Sequence, residues 1–270
     1  MTTKPATNLL THNPFSIFGH FVIVTYKNVS SFIQLVASTM VQLFAHLPRR
    51  KETIQQLYFV ANGSLWTIAF CVTFASIVTI LESSFHMKIV IQNDSMVPGF
   101  ASLLILRELG AVVTALLLTS RIGAGMAAEI GSMKVTEQID ALKMLGINPV
   151  RFLIVPRLIA STIGCVLLSI IANMICIFAA MIVADKFLGY PVGVFLTAMR
   201  RFVDFQDIVF ASIKAFCFGF VIPLVSCYFG FHCKTGADGV GRATTQSVVF
   251  SSVAIIVLDF ILSYTFSYFY

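Results

Sequence analysis

The sequence predicts an all-α membrane protein with five transmembrane helices, an N-terminal interfacial helix and a short amphipathic helix on the cytoplasmic side. Three observations carry that expectation. Apolar residues make up 58% of the 270 and charged residues only 11%, against about 25% charge in a soluble domain. Apolar runs recur at lengths suited to about 30 Å of hydrocarbon, which takes about 20 helical residues. Lys and Arg collect in alternate connections between those runs, the asymmetry that orients a membrane protein.

Residues 1–57 are expected to form a tail and an interfacial helix. Lys4 is the only early charge, and no small-residue cleavage site follows an apolar core, so the start does not read as a signal peptide. From about 15 to 47, Phe18, Phe21, Val22, Val29, Phe32, Ile33, Val36, Met40, Leu43, Phe44 and Leu47 recur at helical spacing. Lys27, Asn28, Ser31, Gln34, Ser38 and Gln42 stand between them and give the helix one wet face. A helix lying in the cytoplasmic leaflet suits that pattern better than a sixth span, since its polar residues are costly in hydrocarbon. A tilted half-span is the alternative.

Residues 58–270 follow as one five-span unit, with crossings at about 58–81, 97–120, 158–184, 208–231 and 247–268. Arg49, Arg50, Lys51, Arg121, Lys134, Lys143, Arg151, Arg157, Lys234 and Arg242 fall on one side, and Lys88, Lys186, Arg200 and Arg201 on the other. The richer side is cytoplasmic by the positive-inside rule, which puts the N-terminus inside and the C-terminus outside. This asymmetry accounts for the net charge of +6 without nucleic acid, because no aromatic-interleaved basic patch accompanies it.

The second span leaves through Gly123, Ala124, Gly125, Ala127 and Ala128, small enough for close backbone approach within a subunit or between two. From about Ser132 to Leu145 the pattern predicts a helix: Ser132 as N-cap, Val135, Ile139 and Leu142 along one stripe, Gly146 and Pro149 as its stop. It is too short to span. It is either an interfacial connector or a handle for a soluble partner.

Four ionisable residues fall inside the spans: Arg107, Glu108, Lys214 and Asp259. Each costs about 2.5–3.5 kcal/mol at mid-membrane when ionised, so they must be paired or face a wet cavity. Two cations and two carboxylates on three spans can neutralise one another, and neighbours 107 and 108 point to different faces, so each seeks a partner on another span. Such a cluster is a packing staple, a network that shifts between states, or both.

Catalytic chemistry is not expected. Cys71, Cys165, Cys176, Cys217, Cys227 and Cys233 lack metal or disulfide spacing, and His12, His20, His46, His86 and His232 are scattered, so no metal is inferred. The triplets starting at Asn28, Asn62 and Asn93 match a glycosylation pattern common by chance. The stretch Gly236 to Ala243 imitates the glycine spacing of a phosphate loop, but Arg242 and Ala243 replace the Lys and Ser/Thr that grip phosphate and Mg²⁺. ATP binding by this chain is rejected, and no nucleophile elbow is present.

Two long motifs carry a family resemblance: RELGAVVTALLLTSRIGAGMAAEIGSMKVTEQIDALKMLGINPVRFLIVPR from Arg107 to Arg157, and GRATTQSVVFSSVAIIVLDF from Gly241 to Phe260. They resemble the MlaE/YrbE family, permease subunits of bacterial lipid ABC transporters associated with MCE proteins. The resemblance implies a homodimer in the cell inner membrane, five spans and an interfacial helix per subunit, and no cofactor on this chain. A cytoplasmic ABC ATPase, which holds ATP and Mg, would grip a coupling helix at about 132–145, through Glu129, Glu137, Gln138, Asp140 and Leu145. The implied substrate is phospholipid, passed between a groove and a periplasmic MCE-domain protein in the service of outer-membrane lipid asymmetry. The resemblance also matches Arg107, Glu108, Lys214 and Asp259 to the family's intramembrane charges and Arg242 to the arginine before the last span. Ile80, Leu81 and Phe85 are assigned to the groove by position. Ala111 departs from the family's usual proline, and a motif is lost at Glu82 and Ser83. A proton-coupled secondary transporter using the buried charges is a rival, though no internal repeat supports it. A non-transporting assembly factor is the other.

Overall fold

A computed structural model describes residues 14–45, 49–87, 89 and 96–269. The tail, His12, His46, Lys88 and the Asn93 triplet lie outside them. Every regular element described is helical: α1 (Pro14–Ala45), α2 (Arg50–His86), α3 (Val97–Val135), α4 (Gln138–Met144), α5 (Val150–Phe187), α6 (Val192–Phe202), α7 (Phe205–Phe231) and α8 (Ala237–Phe269). The long helices outrun the apolar runs in the sequence. Hydropathy marks only the part that sits in hydrocarbon, whereas residues such as Arg50, Lys51, Glu52, Gln55 and Gln56 are good helix formers and continue α2 past it.

Six helices are long and apolar enough to cross a membrane, one more than the expected five, and the extra one is α1. Three stripes divide its surface. Phe32, Leu35, Val36, Met40 and Leu43 face the protein, the last four packing against the cluster of Ile139, Leu153, Ile154, Leu158 and Leu224. Val22, Tyr26, Val29, Ile33, Val41 and Phe44 form an apolar stripe turned outward. Lys27, Ser31, Gln34, Ser38 and Gln42 recur at helical spacing between them. One side of α1 is thus packed on the protein, and the rest of its surface divides between an exposed apolar stripe and a polar one. Its main packing partners, the start of α5 and the last turns of α7, all lie at one end of the bundle.

That end also holds α4 and the connections carrying Arg49, Arg50, Lys51, Lys143, Arg151 and Lys234, and Lys186, Arg200 and Arg201 sit at the opposite end. We call these the basic end and the far end. Helix α6, at the far end, was not anticipated. Its buried side is Phe195 and Ala198, packed largely against the start of α3, with Arg200 and Arg201 left outside.

Packing is built on small residues at four-residue spacing. Val60, Ser64, Ile68, Val72, Ser76, Ile80 and Ser84 form the buried ridge of α2. Gly164, Leu168, Ala172, Cys176, Ala180 and Ala184 form the matching ridge of α5. The two run parallel in register, with Cys176 donating to the Val72 carbonyl at 3.4 Å and Val60 lying over Gly164. Helix α7 is the most enclosed span and packs against α3, α5 and α8. Gly219 lets it approach Ser161, Thr162 and Cys165 so closely that a Cβ would meet backbone.

The helix expected over 132–145 is corrected. Helix α3 runs through the small-residue exit to Val135, so Ser132 is an interior residue and not an N-cap. The chain then breaks at Thr136 and Glu137, where Glu137 takes a left-handed conformation with φ 59° and the separate α4 begins. Thr136 Oγ1 donates to the Ser132 carbonyl at 2.9 Å, which closes the last turn of α3. Gly146 is the stop that the sequence implied. At φ 73° it allows Gly146 N–H to reach the Lys143 carbonyl at 2.9 Å and Ile147 N–H to reach the Leu142 carbonyl at 3.0 Å, a Schellman closure.

Candidate functional site

Helix α3 is wound as a π-helix over Ile105–Val113, and Arg107 and Glu108 lie within that stretch. Gly110 lies on the same stretch, so close to Asn173 of α5 that a Cβ would overlap its carboxamide. Such π segments are rare and concentrate at functional positions.

The two neighbours turn to different partners. Arg107 Nη2 and Nε lie 2.6 and 2.7 Å from Asp207 Oδ1. Glu108 accepts from Lys214 Nζ at 2.9 and 3.0 Å, and the same ammonium reaches Asp259 Oδ1 at 2.7 Å and the Arg107 carbonyl at 3.2 Å. Lys214 is fully enclosed. Three helices, α3, α7 and α8, are thereby joined through one nitrogen. Lys214 lies nine residues into α7, about 13 Å from its far end at 1.5 Å per residue. The ladder of charges thus runs from the far surface inward.

Asp207 is the member that sequence reasoning missed, and the four-residue neutrality is corrected to three carboxylates facing two cations. A signal was available. Asp204-Phe205-Gln206-Asp207 before an apolar run is a capping box, and the structure forms it, with Asp204 N–H donating to Asp207 Oδ2 at 2.9 Å. One carboxylate therefore fixes the start of α7 with one oxygen and holds Arg107 with the other.

Beside the ladder lie two adjoining clefts. One, of about 220 Å³, is lined by Arg107, Glu108, Phe210, Ser263, Phe266 and Ser267. The other, of about 310 Å³, is lined almost wholly by apolar atoms of Phe205, Gln206, Val209, Phe210, Ile213 and Phe266. Phe210 and Phe266, stacked with centroids 3.9 Å apart, divide them. Arg107 lies 5.3 Å from the Phe266 ring and Lys214 5.0 Å from Phe210, so the aromatic pair is held by cations from the polar side. The arrangement can seat a molecule with a polar head and an apolar body.

The residues that the resemblance assigns to the coupling helix, the lever of the expected partner, separate into two groups. Glu137, Gln138, Asp140 and Leu145 are exposed on and around α4, and Met144 and Leu145 present bare apolar side chains at 90% and 75% exposure beside the Asp140–Lys143 pair at 2.8 Å. Glu129 is elsewhere, inside α3, where it pairs at 2.9 Å with the buried Arg157 of α5. Arg242 is exposed in the first turns of α8 with Asp238, Thr245 and Gln246. Of the groove residues, Leu81 and Phe85 are exposed, but Ile80 is fully enclosed in the α2 ridge and lines no groove in this state. The four-residue period of that ridge decides which neighbour turns inward.

The family described as Permease MlaE matches residues 53–265. A protein of Rickettsia typhi named as a probable ABC transporter permease protein is 35% identical over 210 residues, covering 78% of this chain and 81% of its own. A Synechocystis protein of the same designation is 31% identical over 239 residues, covering 86% and 90%. An Arabidopsis thaliana protein named trigalactosyldiacylglycerol 1, chloroplastic, is 33% identical over 213 residues, 79% of this chain and 61% of its own.

Proposed function

The chain belongs to the MlaE permease family, and on that premise we propose that it is the membrane subunit of an ABC transporter that moves phospholipid between the cell inner membrane and a periplasmic MCE-domain protein. That it is a multi-pass transporter permease follows from the family and its helices. Residues 58–270 are its permease unit and the basic end faces the cytoplasm, which places the N-terminus inside and the C-terminus in the periplasm. Two copies enclose the lipid path, and transport contributes to outer-membrane lipid asymmetry. ATP and Mg belong to a separate cytoplasmic ATPase.

One observation carries the lipid reading: a polar cleft and an apolar cleft share the Phe210/Phe266 wall within the membrane beside the charge ladder. A headgroup and an acyl chain need that juxtaposition, and a small polar solute does not. The Arabidopsis relative's name contains that of a diacylglycerol glycolipid, which keeps the reading on lipids. The ATPase reading rests on α4, a short exposed helix whose Met144 and Leu145 have nothing to cover them among the described residues. A nucleotide-driven partner would press on α4, and α3, which ends two residues before it, would carry the displacement to Arg107 and Glu108.

The test uses the purified chain with and without its partners. Bound phospholipid in extracts of the isolated protein, and transfer of labelled phospholipid only when ATPase, MCE partner and ATP are all present, are the expected results. Nucleotide hydrolysis by the chain alone, or transfer driven by a proton gradient without the ATPase, overturns the proposal.

A further inference from the structure

A separate cleft lies at the basic end, well away from the charge ladder. It measures about 460 Å³ and is lined by Gln42 of α1, Arg49 before α2, Gly146, Ile147 and Asn148 of the connection after α4, and Arg151 and Phe152 of α5. Three separate parts of the chain meet there. They bring an unusual concentration of hydrogen-bond donors.

Arg49 stacks over the Phe152 ring at 4.7 Å, which orients its guanidinium, and gives Nη1 to Glu52 at 2.9 Å. Arg151 makes no hydrogen bond or ion pair with any described residue and is exposed. Asn148 Oδ1 accepts from Val150 N–H at 3.0 Å, so its amide nitrogen remains as a donor. The same bond places the start of α5, a helix running from Val150 to Phe187, at the cleft wall, with the positive end of its dipole toward the cleft. Arg49 and Arg151 are the two cations of the lining, and Glu52 is the carboxylate paired with Arg49.

Depth is given by α1. Gln42 lies on its polar stripe between Val41 and Phe44 of the outward apolar stripe, so the cleft borders the level at which the helix changes from lipid to water. Phospholipid phosphates occupy that level.

We propose that this cleft binds the phosphate of an anionic phospholipid of the same leaflet, with Arg49 and Arg151 as a two-armed clamp and Asn148 as the neutral donor. A lipid held there ties the root of the α4 connection to the membrane surface. The site is distinct from the transport clefts, and it takes a resident lipid rather than cargo. A free phosphate shares the chemistry but lacks the acyl chains that would lie along Val41 and Phe44.

The experiment is native mass spectrometry of the full chain released from nanodiscs containing phosphatidylglycerol or only phosphatidylcholine. Arg49→Gln and Arg151→Gln are compared with wild type, and Arg49→Lys/Arg151→Lys tests rescue by charge. Each lost arginine should lower retained phosphatidylglycerol about fivefold while phosphatidylcholine retention stays unchanged, because a basic side chain near an anionic surface is worth about that factor. The double Lys variant should recover most of the binding. Equal retention of phosphatidylglycerol by wild type and both Gln variants overturns the proposal. So does displacement of the lipid by millimolar inorganic phosphate, or variants that keep their lipid and lose only ATPase capture. Lipid retention by the isolated chain is read without ATPase or ATP, so its failure is distinguishable from failure of the transport reading.

Discussion

Replacing Lys214 by Met keeps an unbranched stem as far as Cε and removes the nitrogen that serves Glu108, Asp259 and the Arg107 carbonyl at 2.7–3.2 Å. Two carboxylates are then left facing each other with no cation between them. Removing one partner from a buried ion pair costs about 3–5 kcal/mol, most of it from the charge left behind. For a chain of this size about 1 kcal/mol corresponds to about 2–4 °C, so Lys214→Met should lower the melting temperature by about 6–20 °C. Adding Glu108→Gln and Asp259→Asn removes the stranded charges, and this triple variant should regain at least half of the loss. The measurement is a melting curve of detergent-purified protein followed by circular dichroism or a thiol-reactive dye. A single variant melting within about 2 °C of wild type would show that the ammonium does not hold the three helices together. A triple variant no better than the single would show that the cost is lost packing, not stranded charge.

Gly219→Ala should destabilise by about 1–3 kcal/mol, since its Cβ would press on the Ser161 carbonyl and Thr162 Cα. Gly125→Ala, with nothing near its Cβ inside the helix, is the control that should hold or slightly raise the melting temperature. Gly146→Val forces a β-branched residue to φ 73° at a cost of about 1–2 kcal/mol confined to α4, visible as faster amide exchange over 138–145 with the spans unchanged. Leu145→Arg and Glu137→Lys, both on exposed positions, should abolish copurification of the ATPase without altering the melting temperature; retained copurification refutes the docking reading.

The bundle was legible because its signals are long. Twenty-residue apolar runs and a one-sided charge distribution survive any local error, whereas the split of the lever into α3 and α4 turns on a single left-handed residue. Glu137 gave no warning, for nothing about a glutamate favours φ 59°. Asp207 escaped for a different reason. It lies at the mouth of a span, where a charge needs no explanation, and only its capping pattern set beside the intramembrane Arg107, which seeks a carboxylate on another span, would have marked it. Helix α6 was hidden between two spans by its apolar content, which was too short to count as a crossing. Ile80 and Leu81 show the limit of positional assignment, because one residue of shift on a helix separates a core side chain from an exposed one.

Two functions were open for the intramembrane charges, a staple or a network that rearranges during transport, and the geometry at the basic end bears on the choice. Lys134 Nζ donates to the Phe231 carbonyl at 2.6 Å, capping the end of α7 from the last turn of α3. Gly230 packs on Ile130, and Gly131 lies against Cys233 and Val240, so the α7–α8 turn is held by α3 as well. Ser247 and Ser226 share a 3.0 Å hydrogen bond farther in. The helices that are clamped at the basic end are the same three that Lys214 joins toward the far end. A displacement entering at α4 therefore reaches α3, α7 and α8 together and puts little relative strain on the ladder. Opening it would leave carboxylates without the cation that compensates them, which opposes such a change. The motion has an easier place to occur, on the faces of α2 and α8 that carry exposed Phe70, Phe74 and Phe260, whose ring contacts lie within their own helices among the described residues. We propose accordingly that the charges serve as a staple joining three helices into one body. A triple-neutral variant that folds stably and still transports would fit that role, and would be incompatible with a network that must switch.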